Sequence, residues 1–150
     1  MRVKQSTRAT LENLKYPLRY KRFSKIFKRI KKSDRRFFIK LLKTICKDIE
    51  NKEMIHFATF SQVNLNQHGL LLLMKNRVIL VHSKVKSRRI FYEVIPYNDI
   101  LDIDFDLGEE AYGHLYMKAK REHLTDKNYK IRLIRNEDLP QIVQFIRNHL

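Results

Sequence analysis

The hydrophobic period of this chain changes once, near Asp48, and the balance of charge changes at the same place. Up to residue 47 the apolar residues recur at helical spacing, and 17 Lys and Arg stand against only Glu12 and Asp34. From residue 48 onward short strand-like runs take over, and 15 Lys and Arg meet 14 Asp and Glu. A repeat of 3.6 residues buries one stripe of a helix, whereas a repeat of two buries one face of a strand, so the two parts demand different layers. We therefore expect a basic helical arm over residues 1–47 and a β-rich domain over residues 48–150, with net charges of +15 and +1. At 150 residues the chain has room for one core of moderate size.

Within the arm, Phe23, Ile26, Phe27 and Ile30 follow offsets of 0, 3, 4 and 7 and share one helical face. Lys21, Arg22, Lys25, Lys28, Arg29, Lys31 and Lys32 fill nearly all the remaining positions. Ser33 or Asp34 is placed to cap a second helix, on which Phe38, Leu41, Leu42, Ile45 and Ile49 repeat the stripe opposite Arg35, Arg36, Lys40, Lys43 and Lys47. Leu11, Leu14 and Leu18 suggest a short earlier helix ended near Pro17.

So many like charges on short helices repel one another, and interspersed carboxylates would normally relieve this at little cost. Their near absence points to an external polyanion held by Lys21, Arg22, Lys25, Lys28, Arg29, Lys31, Lys32, Arg35, Arg36, Lys40 and Lys43. Two surfaces fit. If Phe23, Ile26, Phe27 and Ile30 are exposed, they insert into a membrane interface beside anionic lipid. If they are buried against a partner helix or the domain, the cations form a dry-backed surface suited to the phosphates of RNA or DNA. Tyr16, Tyr20, Phe23, Phe27, Phe37 and Phe38 interleave with the cations and offer stacking on single-stranded bases as a further reading, although aromatic residues at helical spacing usually serve a core.

In the second part, Met54 to Phe60 begins the β-rich region, and the run from Gly69 reads as a hairpin turning at Lys75 and Asn76. The segment 88–97 ends at Pro96 and Tyr97, and Leu101 to Leu107 alternates strictly, with Asp102, Asp104 and Asp106 on one face and Leu101, Ile103, Phe105 and Leu107 on the other. Two more strands follow the turn signals Gly108 and Gly113, separated by a polar loop with Thr125, Asp126 and Asn128. A terminal helix carries Leu139, Ile142, Val143, Ile146 and Leu150 on one stripe, with Asp138 and Gln141 as a capping pair. Six or seven antiparallel strands and one amphipathic helix make an α+β fold, a small barrel or sandwich closed at one mouth by that helix.

Catalytic and metal chemistry finds no footing in these residues. The aspartates alternate along a strand, and position twelve of a calcium loop begun at Asp102 would be Gly113, which has no side-chain ligand. Tyr116 stands where a two-carboxylate nuclease strand would want an acid two residues before Lys118. The six histidines lack metal-ligand spacing, Cys46 is alone, and the three glycines make no phosphate cradle. We expect no catalytic residue, cofactor, metal or small-molecule substrate. A lone cysteine cannot form an internal disulfide, and no apolar run approaches the roughly 20 residues of a membrane span. The expected setting is the cytoplasm, or the inner face of a membrane as a peripheral protein.

The order Gly69, Leu71, Arg77, Val78, Ile79, then a basic loop, then Ile95, Pro96, Tyr97, Asp99, Ile100 and Ile103, with Gly113, Leu115 and the terminal helix, resembles the bacterial pleckstrin-homology-like domains of the YokE type. The resemblance covers about residues 50–150 and leaves the arm outside it. It implies a PH-like barrel with its C-terminal helix, a bacterial or phage source, and binding or assembly without fixing a ligand. By analogy with eukaryotic PH domains, the loop cations Lys84, Lys86, Arg88 and Arg89 are a secondary anion-binding candidate, although a solvated hairpin loop is the simpler account of them. The expected function is a non-enzymatic module docking by its arm on an anionic inner membrane face, with nucleic acid as the alternative. A protein scaffold or self-association through barrel edges or the terminal helix is a third reading.

Overall fold

The computed structural model describes residues 5–64 and 66–150. Its elements are α1 (Gln5–Glu12), β1 (Leu18–Arg19), α2 (Tyr20–Ile26), α3 (Lys32–Ile45), β2 (Met54–Ile55), β3 (Phe57–Val63), β4 (Gln67–Leu73), β5 (Arg77–Ser83), β6 (Ile90–Pro96), a 3₁₀ turn (Tyr97–Asp99), β7 (Ile100–Asp106), β8 (Tyr112–Arg121), β9 (Leu124–Arg135) and α4 (Asp138–Arg147). Seven strands form a curled antiparallel half-barrel in the order β6-β5-β4-β3-β9-β8-β7, and β1 pairs with β2 beside it.

The Leu-rich run of β4 and β5 is continuous because both faces of this part of the sheet are covered, which removes the apolar/polar alternation of a one-sided antiparallel sheet. Leu71, Leu73, Val78 and Leu80 point into the barrel, where they meet Leu139, Ile142, Val143 and Ile146 of α4. Leu70, Leu72, Ile79 and Val81 point the other way, onto Phe23, Phe27, Phe38, Leu41 and Ile45 of the helical layer. The helices are therefore a third layer on the convex side of the sheet. Phe38 is its centre, with ring centroids 5.2 Å from Phe27, 5.2 Å from Phe37 and 5.3 Å from Phe60 of β3.

The join between the layers is tied by Arg77, whose guanidinium donates to both carboxylate oxygens of Glu53 at 2.6 and 3.1 Å and to the Asp48 carbonyl at 2.8 Å. Gly69 permits β4 and β5 to close up, since a Cβ there would stand 2.0 Å from the Val81 carbonyl oxygen. Tyr97 donates its hydroxyl to the Met74 carbonyl at 2.5 Å and holds the turn after β6 against the β4–β5 hairpin.

Several local expectations need correction, among them the terminal helix, where Glu137 is the N-cap residue with no side-chain cap and Leu150 lies beyond the helix end, 57% exposed. α1 ends at Glu12, and Leu18 belongs to β1. Neither Ser33 nor Asp34 caps α3: Lys31 is the N-cap residue, and Asp34 is buried, accepting from the Thr7 hydroxyl at 2.7 Å. The segment with Thr125, Asp126 and Asn128 is strand, because β8 and β9 turn tightly at Glu122 and His123, where His123 takes φ 60° and Arg121 already faces Leu124. Leu101 is 51% exposed, since the ladder shifts register between Ile100 and Asp102 and leaves it unpaired.

Candidate polyanion-docking face

The helical layer separates its residues by phase. Phe23, Phe27 and Ile30 are 0%, 1% and 6% exposed, and Ile26 is half-buried against the same cluster. The expectation that this stripe inserts into a membrane is therefore corrected: the outer face of β4 and β5 presents unpaired apolar surface, and the stripe covers it. Lys21, Arg22, Lys25, Lys28, Arg29, Lys31, Lys32, Arg36 and Lys43 are exposed on the other side, together with Lys47. Among the described residues none of these ten forms an ion pair.

Two of the expected cations do different work. Arg35 is half-buried and donates to the Ile30 carbonyl at 3.0 Å, bracing the turn between α2 and α3. Lys40 spends its ammonium on the β5–β6 loop, donating to Ser83 Oγ at 3.1 Å, the Lys84 carbonyl at 3.3 Å and the Ser87 carbonyl at 3.0 Å, and it stands over the Phe37 ring at 5.0 Å. An ammonium carries three donors, so Lys40 has none left for an external anion. Its partial burial pulls its pKa below the ordinary lysine value. Within the loop, Ser83 Oγ donates to the Arg89 carbonyl at 2.7 Å, and Ser87 Oγ accepts from the Arg89 amide at 3.1 Å. Lys40 thereby straps the secondary basic loop, with exposed Lys84, Lys86, Arg88 and Arg89, to the helix that carries Arg36 and Lys43.

Two clefts flank this strap. One, of about 600 Å³, lies between α3 and the loop and is lined by Ser33, Arg36, Phe37, Lys40, Val85, Lys86 and Ser87. Val85 is 43% exposed there, an aliphatic tip between two lysines. The other, of about 810 Å³, runs along α3 with Ile39, Thr44 and Ile90 between Lys32, Arg36, Lys43 and Lys47. Lys47, read from sequence as an exposed helix cation but not counted among the docking residues, belongs to this face, and Val85 was passed over. Val85 carried a signal, since it is the one apolar residue in the segment 83–89.

Elsewhere the described residues contain no group of His, Cys, Asp and Glu placed to hold a metal ion, and no helix long and apolar enough to cross a membrane. Asp102 and Asp104 turn a carboxylate oxygen onto the next residue's amide, at 3.0 and 2.8 Å. Ser61 and His82 form a buried pair at 2.7 Å, but neither opens to a described cleft.

Comparison with known proteins places this architecture. The sequence model described as "Bacterial PH domain" matches residues 49–148. The chain belongs to that family. This bacterial PH domain is 27% identical over 144 residues to the SPbeta prophage-derived uncharacterized protein YokE of Bacillus subtilis (strain 168), with 88% of each chain covered. That coverage exceeds the domain match, so it takes in part of the helical layer as well. Among solved structures, the pleckstrin homology domain from Shewanella amazonensis SB2B is similar at 18% identity with a TM-score of 0.47, over 75% of this chain and 96% of that one.

Proposed function

We propose that this bacterial PH domain is a non-catalytic docking module that settles on an anionic membrane surface through the joined face of α2, α3 and the 84–89 loop. The observation that supports this most directly is the strap at Lys40, which sets a second group of cations, with Val85 between them, beside a layer of cations that have no ion-pair partner among the described residues. Binding is electrostatic. Each Lys or Arg near an anionic leaflet contributes about 1 kcal/mol, and shallow contact by Val85 takes the place of insertion by the buried stripe. A setting at the inner face of a bacterial membrane follows from this reading.

Burial of Phe23, Phe27 and Ile30 supports a second reading, docking on nucleic acid, because a dry-backed cationic surface contacts phosphates without needing an apolar edge. The two separate in one experiment. Cosedimentation with phosphatidylglycerol vesicles, run beside a salt-titrated mobility shift with RNA and DNA, gives vesicle binding that weakens on Val85→Ser if the membrane reading holds. A nucleic-acid shift with no vesicle binding would replace it by the second.

A further inference from the structure

The cleft along α3 combines two properties that a flat electrostatic surface does not need. Its floor is apolar, and its cations line the rim. Lys32, Arg36 and Lys43 fall along one line of the helix, and Lys47 continues it just past the C-cap Cys46. With a rise of about 1.5 Å per residue, Lys32 and Lys43 lie about 16 Å apart along the axis, or three turns. Ile39 lies on the same line and Ile90 of β6 faces it across the cleft. Two polar groups of the lining are already engaged: the Thr44 hydroxyl donates to the Lys40 carbonyl at 3.3 Å, and the Lys40 ammonium is held by the loop, while Arg35 turns its guanidinium to the Ile30 carbonyl at 3.0 Å. Among the described residues, the cations of this cleft with no ion pair or side-chain hydrogen bond are those at the edges, Lys32, Arg36, Lys43 and Lys47.

We infer that this cleft is the docking groove for an acidic amphipathic helix of a partner protein, which lays an apolar stripe on Ile39 and Ile90 and sets its carboxylates against Lys32, Lys43 and Lys47. Charge complementarity selects the occupant. A neutral amphipathic helix would leave the rim cations beside apolar surface, and an extended polyphosphate would leave Ile39 and Ile90 uncovered, whereas a helix with Leu or Ile at i, i+3, i+4 and i+7 and Glu on its flanks satisfies both. Because the occupant neutralises part of the face proposed for the membrane, helix binding and membrane docking oppose each other.

The probe is a synthetic 18-residue peptide with Leu and Ile on one helical face and Glu on its flanks, compared with a scrambled peptide of the same composition. Fluorescence anisotropy of the labelled peptides against the full chain reads the affinity. We expect the amphipathic peptide to bind at least about tenfold tighter than the scrambled one, from the apolar contact that only it can make. Ile39→Lys is the deciding variant, since it raises the positive charge while spoiling the floor. The groove predicts a loss of about tenfold or more in peptide affinity, whereas mere charge attraction predicts equal or tighter binding, and that result, or equal binding of the two peptides, overturns the proposal. Thr44→Arg gives the same opposed signs, and carries the decision if Ile39→Lys lowers the melting temperature enough to unfold the chain. Vesicle cosedimentation of Ile39→Lys should be undiminished or stronger, because the change adds a cation to the face, so failure of the groove and failure of the membrane reading are read separately.

Discussion

Phe38 joins α3 to the end of α2 and to β3, and truncating it tests whether the basic helices belong to the core. Its side chain is fully buried and packs on Phe27, on Phe37 and on Phe60 of β3. Phe38→Ala removes all three ring contacts and leaves a cavity between the helical layer and the sheet. Core Phe→Ala changes cost about 3–5 kcal/mol. For a chain of this size each kcal/mol lowers the melting temperature by about 2–4 °C, so the expected fall is about 6–20 °C. Arg36→Ala, two residues away, removes an exposed side chain with no ion-pair partner among the described residues and should cost within about 0.5 kcal/mol. Thermal unfolding of both full-length variants by circular dichroism compares them. If Phe38→Ala melts within 2 °C or so of Arg36→Ala, the helices are not packed on the sheet, and the dry-backed face goes with them.

Ile146, fully buried in the barrel mouth, should lose about 2–5 kcal/mol on change to Ala, whereas Arg147→Ala, which gives up one bond to the Ile103 carbonyl at 3.0 Å, should lose about 1 kcal/mol in the same melts. Burial lowers the His82 pKa from 6.5 to about 3, so the folded chain keeps this ring neutral while the unfolded chain takes up a proton. Its contribution is therefore complete above pH 6.5 and falls as pH drops toward 3, by about 1.4 kcal/mol per pH unit; urea titrations should show this slope reduced in His82→Gln. Lys40→Met should free the 84–89 loop, seen as faster tryptic cleavage at Arg88 and Arg89 with vesicle binding weakened, and unchanged cleavage would show that the strap is not what holds the loop.

The seven-stranded fold was readable because β7 and β8 alternate and turn residues such as Lys75 and Asn76 separate the strand-like runs, while α4 keeps an unbroken stripe from Leu139 to Ile146. The helical stripes were equally plain, yet period alone reports that a face is buried and not what buries it. The cue lay in β4 and β5, whose unbroken Leu run demands cover on both faces of the sheet. Lys40 and Asp34 could not be placed from sequence, since their partners lie 43 and 27 residues away and any exposed helix position accepts a Lys. Leu101 defeats simple alternation because one extra residue in a ladder reverses the faces. Of the proposed docking face, the cations of α2 and α3 were legible in a charge count, but their union with Lys84, Lys86, Arg88 and Arg89 depends on a tertiary contact.

That union is the claim to test most directly. Two charge-reversed variants of the full chain, one with Arg36 and Lys43 changed to Glu and one with Lys86 and Arg88 changed to Glu, can be titrated against phosphatidylglycerol vesicles alongside the unaltered protein and a variant combining all four changes. A single joined face predicts that each pair alone weakens binding by tenfold or more, since each loses two contacts worth about 1 kcal/mol apiece, and that neutral phosphatidylcholine vesicles bind none of the proteins. Undiminished binding by either pair would mean that helix and loop do not share one docking surface.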